Sequence, residues 1–140
     1  MDFLLLGIQI LLGSLLAGLL LAGCSTAKRD SAAAQNALEY TVVEKSAIPE
    51  ELAKLISEKE KTPFKLSYSD GSSLFLAVGY GEQKSGGYSI QVKEFYLGEN
   101  AIYLDTELLG PSEEEYKSGE PSMPYLVLQT EYREEPVVFQ

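Results

Sequence analysis

Groups that could carry chemistry are unevenly supplied in this chain. It holds one cysteine, Cys24, and no histidine, against 21 acidic and 11 basic side chains. Without histidine there is no imidazole base, and neither a Ser-His nor a Cys-His arrangement can form. A lone cysteine excludes an internal disulfide and a thiolate zinc set. Its thiol is the one soft nucleophile, open to alkylation or acylation. Asp105-Thr106-Glu107 lacks the glycine of an aspartic-protease turn. Glu113-Glu114-Glu115 and Glu120 lack EF-hand spacing, and consecutive glutamates do not converge readily on one ion. A glycosidase pair is defined by separation in space, which spacing along a chain does not establish. No serine and lysine stand out as a dyad. The expectation is a non-enzymatic chain with no catalytic residue, no metal site and no cofactor.

The surroundings of Cys24 explain its presence. It closes Leu21-Ala22-Gly23-Cys24, after an apolar run from Phe3 to Ala22 and before a polar, alanine-rich stretch. This tetrapeptide resembles the lipobox of bacterial lipoproteins. The resemblance implies a signal peptide over residues 1–23, diacylglyceryl transfer to the Cys24 thiol, cleavage before Cys24 and palmitate-type acylation. The domain would then sit lipid-anchored on the extracytoplasmic side of the cell membrane. Small residues before the cysteine suit a peptidase that must reach the backbone. Two features depart from the pattern. Met1-Asp2 supplies no basic residue, and the apolar run is about as long as the 20 residues of a membrane span. The alternative is a retained transmembrane anchor, with Lys28-Arg29 placed in the cytoplasm.

Formal charge is −10, so the chain repels phosphate backbones and anionic lipid, and no nucleic-acid partner is expected. Membrane attachment therefore falls to the lipid on Cys24; a single acyl chain binds marginally, and two suffice. Residues 24–37 read as the lipidated cysteine and a flexible tether, with a coil reach on the order of 20 Å. Residues 38–140 form one domain.

Strand patterns dominate that domain. Leu38, Tyr40 and Val42 alternate with Glu39, Thr41 and Val43 as a first strand. A helix follows, with Pro49 in its first turn, Glu50 and Glu51 at its positive end, and Leu52, Leu55 and Ile56 on one face. Pro63 ends it. Phe64, Leu66 and Tyr68 lead through an Asp70-Gly71 hairpin turn to Leu74, Leu76, Val78 and Tyr80. Behind that strand, Ala77, Gly79 and Gly81 leave room for close approach of a helix or backbone. Tyr88, Ile90 and Val92 slip phase to Phe95 and Leu97, which predicts a β-bulge at Lys93-Glu94. Strands over 102–108, 125–132 and 137–139 complete the set. The fold class is mainly β, a β-rich α+β arrangement: an antiparallel sandwich or open barrel of six to seven strands with one covering helix.

Two connections are longer than turns need. Gly81-Glu82-Gln83-Lys84-Ser85-Gly86-Gly87 is glycine-rich, but a strand follows it where a phosphate cradle needs a helix. With its flanks it reads Gly86-Gly87-Tyr88-Ser89-Ile90, and Pro124-Tyr125-Leu126-Val127-Leu128 comes later. These segments resemble the PrcB C-terminal domain family, over roughly Val42 to Leu128. Lys84 and Ser85 stand where that family usually has proline and threonine. The resemblance implies a non-catalytic exported or lipid-anchored domain that acts through protein contacts, named for an accessory subunit of a surface protease complex.

The expected partner-binding residues are Glu82, Gln83, Lys84, Ser85, Gly86, Gly87 and Tyr88, backed by the acidic connection 110–124. In the competing arrangement, Gly86-Gly87 only shapes a hairpin and Tyr88 packs inward with Ile90 and Val92. The leading function is an interaction module that assists or stabilises an exported protease or other envelope protein. The alternatives are a protease inhibitor of chagasin-like type, from a loose likeness of Ser85-Gly86-Gly87-Tyr88-Ser89 to that family's Thr-Thr-Gly-Tyr loop, and a domain binding a small ligand or envelope component.

Overall fold

A computed structural model describes residues 36–113 and 119–140. The leader 1–23, Cys24, tether residues 25–35 and residues 114–118 of the acidic connection lie outside the described residues. The elements are β1 (Thr41–Val42), a 3-10 turn (Lys45–Ala47), α1 (Glu50–Lys59), β2 (Pro63–Ser69), β3 (Ser73–Tyr80), β4 (Ser89–Leu97), β5 (Ile102–Leu109), β6 (Tyr125–Glu131) and β7 (Val137–Phe139). They form a four-stranded sheet in the order β1-β6-β3-β2 and a three-stranded sheet in the order β4-β5-β7. The fold is therefore a β-rich α+β sandwich, without a closed barrel.

The layering follows from β3, an unbroken apolar strand buried on both faces. Leu74, Leu76 and Val78 face the second sheet and join Leu128, Phe95, Ile102 and Leu104 in the core between the sheets. Phe75 and Ala77 face the other way and pack with Val127, Phe64 and the helix residues Leu52 and Ile56. The small residues behind β3 admit this helix-side layer as the sequence pattern implied. A Cβ on Gly79 would collide with the Phe64 ring, which lies across it from the neighbouring strand.

On α1, the buried stripe is Leu52 and Ile56 with Ala53 at its margin, while Leu55 stays 38% exposed. At 100° per residue Ala53 and Leu55 flank that stripe symmetrically, about 60° to either side, and it is the Ala53 flank that packs against the sheet. Pro49 caps the helix in an extended conformation rather than entering its first turn. The helix ends at Lys59, and Pro63 opens the edge strand β2, where a missing N–H is tolerated.

The Asp70-Gly71 hairpin is present: Gly71 has φ +95°. Asp70 Oδ1 accepts from the N–H groups of Ser72 at 3.0 Å and Ser73 at 2.7 Å. These two bonds, that from Ser72 foremost, lower the Asp70 pKa. The bulge is also present. Pairing between β4 and β5 jumps from Val92–Thr106 to Glu94–Asp105, leaving Lys93 without an opposite residue.

Two further expectations are corrected. Residues 38–43 are not one strand: only Thr41–Val42 pairs with β6, whereas Ala37 bridges Tyr96 of β4. The Leu38 N–H donates to Phe95 O at 3.0 Å, and the Leu97 N–H to Asn36 O at 3.1 Å. This segment passes from one sheet to the other, tucking Leu38 into the core between them. Nor is every pairing antiparallel, since β7 runs parallel to β5. The intervening strand β6 belongs to the other sheet, so the chain returns to this one in the same direction as it left.

Candidate functional site

The two connections singled out in the sequence lie against each other. Gln83 and Ser122 form an isolated antiparallel bridge, with Gln83 N–H donating to Ser122 O at 2.7 Å and Ser122 N–H returning to Gln83 O at 3.1 Å. Ser122 Oγ donates a further bond to Ser85 O at 2.6 Å. The glycine loop is pinned on its other flank as well. Glu82 N–H donates to Lys61 O at 3.0 Å, just before β2. Gly81, with φ +78°, lets this happen: a Cβ there would stand 2.9 Å from Pro63 Cδ and 3.2 Å from the Thr62 carbonyl carbon. Gln83 Nε2 also donates back to Tyr80 O at 3.1 Å. The loop is thus a fixed corner, held by backbone on both sides.

The seven expected contact residues divide by exposure. Glu82, Lys84 and Gly87 are exposed, while Gln83, Gly86 and Tyr88 are half-buried. Ser85 is 1% exposed and points inward, so its side chain is a packing element rather than a contact surface. A conformational constraint rests on Gly87, with φ +84°, whereas a Cβ on Gly86 would meet open space.

Tyr88 does not join the core between the sheets. Its ring lies near Gly110, where a Cβ would be 3.9 Å from Tyr88 Cε1. It lines a cleft of about 180 Å³ with Lys45, Ile90, Met123, Pro124 and Tyr125. Within that cleft Lys45 Nζ stands 5.4 Å from the centre of the Tyr125 ring, a cation over an aromatic face. Burial first, and the Glu60 carboxylate second, raise the Tyr125 pKa. The corner and the adjoining cleft thus carry two exposed cations, Lys84 in the loop and Lys45 at the Tyr125 ring. Sequence reasoning missed Lys45, and it took in Ser122 and Met123 only as part of the connection 110–124. Ser122 and Met123 lie within the acidic connection, but no local pattern pairs that stretch with Gln83.

The two serine hydroxyls of the corner are engaged with backbone. Both serines donate to carbonyl oxygens, Ser85 Oγ to Gly86 O at 3.2 Å and Ser122 Oγ to Ser85 O, and neither bond leads to a base. Among the described residues, no group of three or more acidic, cysteine or histidine side chains is placed to hold a metal ion. No helix among them is long and apolar enough to cross a membrane.

Residues 74–131 match the model of the family described as PrcB C-terminal. The match takes in β3, the fixed corner, the β4–β5 hairpin, the acidic connection and β6, and leaves out β1, α1, β2 and β7. Neither the curated proteins nor the solved structures contain a significant match to the chain.

Proposed function

We propose that this chain is a lipid-anchored, extracytoplasmic and non-catalytic interaction module that assists or stabilises an exported protein, within or beside a protease complex. One observation carries the reading. The segment matching the PrcB C-terminal family contains both connections that meet at the Gln83–Ser122 bridge, so what is family-like here includes a rigid polar corner. Corners of this kind present backbone and aromatic groups without exposing the core, which suits protein contacts. The lipobox-like Leu21-Ala22-Gly23-Cys24 supports the anchored placement, and the absence of histidine supports a binding role.

The test has two arms. Cys24→Ala should abolish palmitate incorporation and leave the precursor uncleaved, about two kilodaltons heavier in its polypeptide. Equal labelling of wild type and variant would sink the anchor. A photo-crosslinking residue at Lys84 should trap an exported protease or its complex partner on intact cells, and one at Glu58 on the exposed side of α1 should not. Crosslinks from Glu58 alone would move the contact surface away from the corner. Inhibition of a papain-like enzyme by the purified protein would instead favour the inhibitor reading.

A further inference from the structure

The outer face of the three-stranded sheet carries a second surface, at the far end of β4 from Tyr88. Side chains alternate along these strands, so Phe95 with Leu104, and Leu97 with Ile102, turn into the core while the residues between them turn out. The registers Ala37–Tyr96, Tyr96–Tyr103 and Tyr103–Val138 set four outward residues in one row across the sheet. The Tyr96 and Tyr103 rings stack, with centroids 5.2 Å apart and planes inclined by 17°. Val138, beside them, is 40% exposed. Glycine at the β4–β5 turn gives the pair its room, since a Cβ on Gly98 would come within 2.6 Å of Tyr103 Cε2.

The next rows are acidic. Glu94 pairs with Asp105, and Gln91 with Glu107, at outward positions spaced about 7 Å along the strands. The bulge residue Lys93 is the one cation in β4, β5 and β7. Among the described residues the salt bridge present is Arg133–Glu135, so these three carboxylates have no ion-pair partner. A row of aromatic and apolar surface thus borders a strip of uncompensated negative charge.

We propose that this face docks a basic, extended segment of a protein partner, an arginine lying on the Tyr96–Tyr103 pair with its guanidinium turned to Asp105. Charge decides the occupant. Another copy of the same face would set carboxylate against carboxylate, and an anionic lipid surface would be repelled. A guanidinium answers both halves of the surface, because its plane stacks on an aromatic ring while its fork meets a carboxylate. In an extended partner, residues two apart recur at the spacing of the rows, so with one side chain on the tyrosines the next on that face stands over the Glu94–Asp105 row and the one after it over Glu107. The surface lies on another part of the sandwich from the corner and does not depend on it.

The probe is a peptide alternating arginine and threonine, titrated against the full-length protein in neutral detergent micelles. The chain has no tryptophan, so its nine tyrosines report binding by their emission, and the part of the change lost in Tyr103→Leu belongs to the site. Binding should weaken as salt rises. Asp105→Asn should weaken it about ten-fold and Tyr103→Leu about three-fold, whereas Glu58→Gln, the same charge change on α1, should shift it less than about two-fold. Tyr103→Phe keeps the ring and should bind like wild type, which separates recognition from folding. Equal losses from Glu58→Gln and Asp105→Asn would reduce the effect to net charge and overturn the proposal. So would equal binding of a glutamate–threonine peptide. A change of oligomeric state on Tyr103→Leu would assign the face to a second copy and overturn it too.

Discussion

The Tyr80 hydroxyl lies 2.6 Å from Thr106 Oγ1, joining β3 of one sheet to β5 of the other across the side where the sandwich stays open. There β2 and β7 remain unpaired edges, and a crevice of about 520 Å³ separates them, lined by Phe64, Lys65, Val78, Tyr80, Thr106 and Gln140. On the opposite side the sheets are tied by residues 36–43. The hydroxyl pair is thus a polar tie on the open flank.

Tyr80→Phe should therefore cost about 1 kcal/mol in chemical denaturation, and Thr106→Val a similar amount, because each leaves its partner unsatisfied in a half-buried place. Removing both should cost less than the sum. Strict additivity would mean that the two hydroxyls do not depend on each other.

The paired glycines of the corner should respond differently to substitution. Gly87→Val forces a β-branched side chain to φ +84° and should destabilise the protein by about 1–2 kcal/mol. Gly86→Ala adds a methyl group to open space and should stay within about 0.5 kcal/mol of wild type. Thermal midpoints check both, and an unchanged midpoint for Gly87→Val would remove the left-handed constraint from the argument.

The Asp70 turn sets an acid response. Its folded-state pKa is lowered, so the stability it contributes is present above the ordinary carboxyl value of 3.8 and is lost as pH falls through the folded value. Asp70→Asn keeps an acceptor but does not titrate. The urea midpoint of wild type should fall more steeply than that of the variant between about pH 5 and pH 2. Parallel curves would show that the carboxylate charge adds nothing beyond the hydrogen bonds.

Much of this architecture is legible in local patterns. The two-faced apolar run of β3 announces a middle layer, Gly79 marks where Phe64 crosses, and the slip from Val92 to Phe95 marks the bulge at Lys93. These signals are local, because side-chain period and backbone conformation are set by near neighbours. What stayed hidden depends on distant partners. Leu38 to Val43 alternates like a strand, yet its two ends pair with different sheets. The parallel pairing of β7 depends on where β6 goes. At the corner, the glycines and Tyr88 could be singled out by type. That Ser122 closes the corner could not, since nothing near Ser122 encodes Gln83.

The position of β6 in its sheet orders the birth of the fold. It inserts between β1 and β3, yet follows both by a long stretch of chain. A polypeptide emerging in sequence can zip the β2–β3 and β4–β5 hairpins early, since their contacts are local. Val127 and Leu128, which seal the two cores from β6, arrive only afterwards. Until they do, β3 offers one unpaired edge and two incompletely covered apolar faces. That interval is when the chain is most open to aggregation or proteolysis, and when a chaperone has most to protect.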